Sequence, residues 1–153
     1  MSKEISLDEI KKFWPEKAPD INIVQKYVSK YEKEIIVIKY GGNVLIDRKV
    51  FNNFISDIYV LNKLGLSIIV VHGGGPRIKR ELDKKKIVSK FINGLRITDK
   101  SIVDIVEKVL IDFNNDIVSS LNKLGTQAAS FHTKTDNIIE VEPAREELGF
   151  VGI

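Results

Sequence analysis

The pattern of apolar positions separates a helical start from a longer α/β part. Residues 21–31 carry apolar side chains at helical spacing, and Asp20 precedes them as a plausible N-cap. Phe13 and Trp14 lie before this helix without an obvious local core. We interpret residues 1–33 as an N-terminal helical arm. Its apolar stripe either packs on the chain's own domain or docks on a partner subunit, and the sequence leaves both possibilities open.

Two short β-branched runs follow the arm and enclose a second helical pattern. Residues 35–38 and 68–71 are typical of strands that are buried on both faces of a sheet. Between them, apolar residues repeat at helical spacing over 50–64, and Gly65 suits the position just after a helix. A strand, a helix and a second strand form a βαβ unit, so we expect the two strands to be parallel.

Further elements follow in the second part of the chain. Residues 91–98 indicate a short extended or hairpin segment, and the longest helical pattern covers 102–124, with Thr98 or Asp99 as its cap. Residues 128–131 and 138–141 then look like two strands joined by a turn. The last six residues are apolar and strand-like with no closing helix, so we expect a truncated chain.

Composition limits the classes of protein that fit this pattern. A chain of 153 residues with 43% apolar and 29% charged residues is one globular domain's worth. The absence of cysteine excludes disulfides, thiolate zinc sites and cysteine nucleophiles. A net charge of +3, scattered along the chain, gives no basis for nucleic-acid binding. No apolar run approaches the ~20 residues of a membrane span, and the start lacks a secretory or transit signal, so we expect a cytoplasmic protein with no membrane partner.

Glycine clusters follow both predicted strands of the βαβ unit. Gly41 and Gly42 come after the first strand, and residues 73–75 come after the second, directly before Pro76, which suits the first turn of a helix. Because parallel strands end at the same edge of a sheet, backbone N–H groups at these turns can form a site for an anion such as phosphate. Lys39 lies two residues before Gly41 and supplies a positive charge there. Neither cluster matches the P-loop or dinucleotide-binding motif.

Other chemistry in the sequence is less specific. The segment His72-Gly73-Gly74-Gly75 also fits the oxyanion loop of lipase-like hydrolases, but no G-x-S-x-G nucleophile motif is present. The two histidines, 60 positions apart, have no metal-ligand spacing. Arg96 lies between apolar residues before the long helix, where it either grips a carboxylate with its two-pronged guanidinium or pairs with a surface acid.

Four segments together resemble a known family, the amino acid kinase superfamily, and within it the acetylglutamate kinases. The segments are IVIKYGGN (36–43), VVHGGGP (70–76), NGLRITD (93–99) and ELGFVG (147–152). The resemblance begins near residue 20 and covers roughly the first half of such an enzyme. It implies an αβα sandwich with a mainly parallel central sheet, here incomplete, in which residues 34–153 form the N-terminal acetylglutamate-binding lobe.

The resemblance also implies roles for individual residues. Lys39 resembles the catalytic lysine that stabilises the transferring phosphoryl group, and Gly41 and Gly42 resemble the loop that contacts the phosphates of ATP, which is bound with Mg²⁺. Two further positions, Gly74 and Gly75, resemble the backbone donors beside N-acetyl-L-glutamate. Arg96 resembles the clamp on the α-carboxylate of that substrate.

The remaining implications concern regulation, assembly and activity. The arm resembles the N-terminal helix of the arginine-inhibited branch of the family, in which Tyr27 corresponds to a tyrosine beside the arginine effector. The resemblance implies a homo-oligomer, either a dimer or a hexamer. The second half of the family's fold has no counterpart here, so we expect the 153-residue chain alone to be inactive. A non-catalytic module that binds an acidic amino acid or drives oligomerisation is the alternative.

Overall fold

The computed structural model describes residues 7–31, 33–41, 47–132 and 139–153. The regular elements within these ranges, in chain order, are α1 (Leu7–Lys11), α2 (Ile21–Val28), β1 (Ile35–Tyr40), α3 (Arg48–Lys63), β2 (Ser67–His72), α4 (Gly75–Lys84), β3 (Phe91–Ile92), β4 (Leu95–Arg96) and α5 (Lys100–Lys123). Short 3-10 turns occupy Ser29–Tyr31 and Glu146–Leu148. None of the helices in the described ranges is long and apolar enough to cross a membrane.

The chain divides into two compact units that share helix α5. The first unit comprises Met1–His72 and Ser119–Ala128, and the second comprises Gly73–Val118 and Ala129–Ile153. The first unit therefore contains the β1–α3–β2 segment, and the second contains α4, the β3–β4 hairpin and most of α5.

The predicted βαβ unit is confirmed. Strands β1 and β2 pair in parallel, with Ile35 opposite Ser67 at one end and Tyr40 opposite His72 at the other. Helix α3 connects them and begins at the N-cap Asp47, whose carboxylate accepts hydrogen bonds from the backbone N–H groups of two first-turn residues. The α/β class with a parallel sheet, predicted from the alternation of strand and helix patterns, is confirmed by this pairing.

The prediction that both faces of this sheet are buried is wrong. Tyr40 lies on one face and stacks on Phe54 of α3, with ring centroids 3.8 Å apart, so α3 covers that face. The opposite face carries Ile35 and Val37, which are 64% and 61% exposed, together with half-exposed Ile69 and Val71 of β2. The β-branched runs have the composition of doubly buried strands, but within the described residues of this unit a helix covers only one side.

The described part of residues 1–33, interpreted above as an arm, packs partly on its own unit. Ile10 is almost fully buried, and it forms a small core with Tyr59 and Val60 of α3. Phe13 packs edge-on against Tyr59, with 4.9 Å between ring centroids, and Trp14 joins the same cluster. Helix α2 begins at Asp20 as predicted, but its outer apolar side chains, Ile23, Tyr27 and the following Tyr31, are about half exposed.

The second unit has a core between α4 and α5. Ile78 and Leu82 of α4 pack against Ile102 of α5. Helix α5 is capped by Asp99, one of the two predicted caps, through hydrogen bonds to the N–H groups of Ser101 and Ile102. The hairpin predicted for 91–98 is present as β3 and β4, which pair antiparallel.

The two strands predicted after α5 are not formed. In the described parts of both segments, 128–131 and 139–141, no strand is present, and the turn at 134–137 lies outside the described residues. The side chain of Asn122 donates a hydrogen bond to the Ala128 carbonyl oxygen and accepts one from the Ala128 N–H. These two backbone groups are thus bonded to a side chain and not to a neighbouring strand. Further along, Glu142 and Ile153 exchange backbone hydrogen bonds of 3.1 and 2.9 Å, so the pairing occurs just after the predicted segment.

Candidate functional site

The carboxyl ends of β1 and β2 lie at one edge of the sheet, because Tyr40 is paired with His72. Lys39 is opposite Val71 in this register, and its side chain is exposed on the face that α3 leaves open. Gly41 follows Tyr40 and is also exposed, and a Cβ placed there would meet no atom of the described residues within 4 Å. None of these residues blocks the approach of a ligand to the backbone of Gly41. Gly42 lies outside the described residues.

Tyr40 fixes the end of β1 beside Lys39. Its ring packs on Phe54, and burial together with the negative charge of Asp57 raises the pKa of the Tyr40 hydroxyl above its usual value. Burial also raises the pKa of the Asp57 carboxyl. The Tyr40 side chain therefore packs on α3, while its neighbour Lys39 points to the opposite face of the strand.

Gly74 and Gly75 form the start of α4 in the second unit. Gly74 is the N-cap residue and is buried against α5, where an added Cβ would lie 2.6 Å from the Leu110 side chain. Gly75 is exposed, and a Cβ there would meet no atom within 4 Å in the part of the chain that the structure describes. Because Pro76 has no N–H, Gly75 and Arg77 carry the first amide donors of the helix, whose positive end favours anions.

Arg96 lies in the wall of a cavity of about 480 Å³ within the second unit. The charged residues that line this cavity are Lys79, Asp83, Lys86 and Arg96. Asp83 is already paired with Lys79 at 2.7 Å, so the lining keeps a net positive charge. The remaining lining residues are Ile87, Val88, Ser89 and Phe91. A cavity with cationic and apolar walls suits an acidic molecule that also carries an acyl or methylene portion.

The Arg96 side chain is held by two neighbours. Its NH1 group donates a hydrogen bond to Ser89 Oγ, and its guanidinium carbon lies 4.7 Å from the centroid of the Phe91 ring. The sequence left open whether Arg96 pairs with a surface acid. Among the described residues, the side chain that accepts a hydrogen bond from its guanidinium is Ser89, so that interpretation finds no support there.

Sequence reasoning missed Ser89, Phe91 and Lys79 as neighbours of Arg96. A signal for Phe91 was present, because the Asn93-Gly94 dipeptide is typical of a two-residue hairpin turn and places Phe91 directly across from Arg96. Lys79 could be found only from the packing of α4 beside the hairpin. Tyr27, the predicted effector residue, lies on α2 in the first unit, 57% exposed, with Lys30 Nζ 5.0 Å from its ring centroid.

A metal site built from side chains alone is not evident in the described part of the chain. There, no three His, Cys, Asp or Glu side chains come together in a way that could hold an ion. Mg²⁺ usually keeps several waters and binds through one or two carboxylates together with the phosphates of a nucleotide, so its presence would not require such a cluster.

Comparison with known proteins identifies the family. A family model described as "Amino acid kinase family" matches residues 34–147, and the chain belongs to that family. Acetylglutamate kinase of Pelagibacter ubique (strain HTCC1062) is 49% identical over 145 residues, which are 95% of this chain and 50% of that protein. Acetylglutamate kinase of Porphyra purpurea is 44% identical over 135 residues, covering 87% of this chain and 46% of that protein. The chain thus spans about half the length of these curated relatives.

Two solved structures support the same fold. The smu.665 protein from Streptococcus mutans UA159 matches with a TM-score of 0.65 and 27% identity, over 77% of this chain and 48% of that one. N-acetylglutamate synthase from Neisseria gonorrhoeae, solved with coenzyme A and N-acetyl-glutamate, matches with a TM-score of 0.66 over 85% of this chain and 31% of that one. At 16% identity the second likeness concerns the fold alone.

Proposed function

We propose that the protein to which this sequence belongs phosphorylates the γ-carboxylate of N-acetyl-L-glutamate with ATP, a step of arginine biosynthesis in the cytoplasm. The observation that carries the proposal is Arg96 in a cationic cavity of the second unit, in a chain that is 49% identical to an acetylglutamate kinase. Residues 34–153 would be the N-terminal lobe that binds the acceptor.

Lys39 and Gly41 are proposed to serve the nucleotide. Transfer of a phosphoryl group needs positioning and neutralisation of charge more than covalent chemistry. Lys39 is exposed at a strand end and can place its ammonium group against phosphate oxygens, and the open backbone of Gly41 can donate its N–H to them. Gly42 would extend this loop. Mg²⁺, when bound with ATP, would neutralise charge on the phosphates.

Arg96, Gly74 and Gly75 are proposed to hold the acceptor. The guanidinium of Arg96 can bind the α-carboxylate through two N–H groups, which fixes the direction of the substrate as well as its charge. The N–H groups at the start of α4 can donate to the other carboxylate or to the acetyl group. Helix α4 carries both this amide end and Lys79 of the cavity wall, about 6 Å apart along the helix axis.

A chimeric enzyme tests the proposed reaction. The chimera joins this chain to the second half of the Pelagibacter ubique relative, and ADP release is measured with and without N-acetyl-L-glutamate. We expect acetylglutamate-dependent ADP release by the chimera and none by the 153-residue chain. Lys39→Ala is expected to lower kcat about 100-fold or more, whereas Lys12→Ala, a change of another exposed lysine in the same unit, leaves kcat unchanged. A folded chimera without acetylglutamate-dependent turnover would contradict the proposal.

A second candidate function is a non-catalytic module that binds an acidic amino acid. The residues that line the cationic cavity all belong to the second unit, so binding there requires no charged group from the first unit. Binding of acetylglutamate by the chain, combined with an inactive chimera, would favour this candidate.

Oligomerisation and arginine inhibition remain part of the proposal. The half-exposed apolar side chains Ile23, Tyr27 and Tyr31 give α2 and the following turn a surface that another subunit could cover. Light scattering during size-exclusion chromatography measures the oligomeric state of the chimera, and its rate of ADP release with and without L-arginine tests inhibition. A monomeric chimera whose activity is unaffected by L-arginine would contradict both the proposed oligomerisation and the proposed inhibition.

A further inference from the structure

The Arg96 guanidinium contacts two side chains that have no assigned role. Ser89 Oγ accepts a hydrogen bond from NH1, and the Phe91 ring lies beneath the guanidinium at 4.7 Å from its carbon atom. Ser89, Phe91 and Arg96 all line the same cavity. Arg96, which is proposed to bind the carboxylate, and its two contacts Ser89 and Phe91 therefore belong to one wall of the cavity.

The register of the β3–β4 hairpin produces this arrangement. Asn93 and Gly94 have positive φ angles of 50° and 82°, as a two-residue hairpin turn requires, and they pair Phe91 with Arg96 across the strands. The Ile97 N–H donates to the carbonyl oxygen of Lys90 at 2.9 Å, which continues the pairing by one residue. Ser89 is two residues before Phe91 and so lies on the same face, diagonal to Arg96 and within reach of a long side chain.

We propose that Ser89 and Phe91 are positioning residues that hold the Arg96 guanidinium ready to bind a substrate carboxylate. The inference rests on the proposed function, because it assumes that Arg96 meets a carboxylate. An arginine side chain has many rotamers in solution, and a partner that fixes one of them reduces the ordering that binding would otherwise require.

The geometry of a guanidinium leaves room for both partners. The group carries five N–H donors in a plane, and the bond to Ser89 uses one of them on NH1. Other N–H groups of the fork can still donate hydrogen bonds to a carboxylate, because the contact with Phe91 is made by the face of the ring and uses no N–H group. Ser89 and Phe91 therefore constrain the guanidinium while N–H donors remain for the carboxylate.

The order of the Arg96 side chain tests the proposal without any ligand. In ¹⁵N NMR spectra of the chain, the heteronuclear NOE of the Arg96 Nε–Hε group should match that of the backbone. Arg80, an exposed arginine on α4, serves as the flexible reference within the same spectrum. We expect Ser89→Ala and Phe91→Leu to lower the Arg96 value toward that of Arg80, and Ser89→Thr and Phe91→Tyr to preserve it. An Arg96 group as flexible as Arg80 in the unsubstituted chain would overturn the proposal.

Ligand binding gives the second readout. Calorimetric titration with N-acetyl-L-glutamate should show binding about five- to tenfold weaker for Ser89→Ala, which is within the range for loss of one ordinary hydrogen bond, since Ser89 orders Arg96 and does not itself touch the ligand. Ser89→Thr should stay within about twofold, because it keeps the hydroxyl group. Unchanged affinity in Ser89→Ala, alongside clear weakening in Arg96→Ala, would overturn the positioning role while leaving the proposed function intact. Absence of binding by the unsubstituted chain would contradict the proposed function instead, and the NMR measurement would still decide the role of Ser89 and Phe91.

Discussion

The guanidinium carbon of Arg77 lies 3.9 Å from the centroid of the Phe113 ring, and its NH1 group donates to Asp116 at 2.5 Å. Arg77 is in the first turn of α4, whereas Phe113 and Asp116 are on α5. Phe113 is fully buried, and the Arg77 side chain is 27% exposed. This side chain therefore joins the start of α4, where Gly74 and Gly75 lie, to the long helix of the same unit.

Arg77→Ala should destabilise the second unit. The substitution removes the contact with the Phe113 ring and a partly exposed ion pair, which together are worth about 1–2 kcal/mol in the free energy of unfolding. Urea unfolding followed by circular dichroism measures the change. Arg80→Ala is the matched control, because Arg80 is an exposed arginine of the same helix and its removal should change the free energy by less than about 0.5 kcal/mol. Equal effects of the two substitutions would show that the Arg77 contacts contribute nothing specific.

Gly149→Ala should be strongly destabilising. Gly149 has φ 69° and ψ −127°, a conformation that a residue with a side chain adopts only under strain. A Cβ there would also overlap the backbone carbonyl oxygen of Thr98, a residue that is hydrogen-bonded to Leu148 and Phe150 on either side of the glycine. We expect a loss of about 2 kcal/mol or more in the free energy of unfolding. Gly75→Ala is the control and should be nearly neutral, because a Cβ there meets no described atom within 4 Å.

Two aspartates should respond to substitution with opposite signs. Burial raises the pKa of Asp57 in the folded chain, so the folded state favours the protonated carboxyl. This preference stabilises the fold below the unfolded pKa of about 3.9, and the stabilisation is lost as the pH rises through the folded-state pKa. Asp57→Asn should therefore raise the urea midpoint at pH 7, and the gain should vanish near pH 3.

In Asp99, the hydrogen bond from Ser101 and then the one from the Ile102 N–H lower the pKa, so ionisation stabilises the fold above the unfolded pKa.

Asp99→Asn provides the comparison for that experiment. It should lower the urea midpoint at pH 7, and the difference should disappear as the pH falls through the lowered pKa of Asp99. A gain from Asp57→Asn that persists unchanged at pH 3 would mean that the effect comes from packing and not from charge.

Local patterns in the sequence predicted most elements correctly. The predicted end of α3 at Gly65 is confirmed by its φ of 92°, and the predicted cap of α5 at Asp99 is confirmed by its hydrogen bonds to the first turn. These features depend on only a few neighbouring residues, so the sequence suffices to find them. The hairpin turn at Asn93 is predictable for the same reason.

Features that depend on distant partners were not predictable. The runs at 35–38 and 68–71 predict two buried faces, yet their composition does not say what covers each face, and Val37 is 61% exposed. The predicted strand at 128–131 failed because a strand needs a partner, and Asn122 occupies the backbone of Ala128 instead. The neighbours Ser89 and Lys79 of Arg96 come from two different elements that meet only in the folded unit.

The role of Arg96 can be measured directly by calorimetric titration of N-acetyl-L-glutamate into the purified 153-residue chain. We expect one saturable site, and we expect Arg96→Ala to weaken binding by about 1.5–3 kcal/mol, the range for loss of a charge-assisted hydrogen-bonded pair. Arg80→Ala, the exposed control on α4, should bind as tightly as the unsubstituted chain. No saturable binding, or equal affinity of the Arg96→Ala variant and the unsubstituted chain, would contradict the assignment of this cavity as the site that holds the acidic substrate.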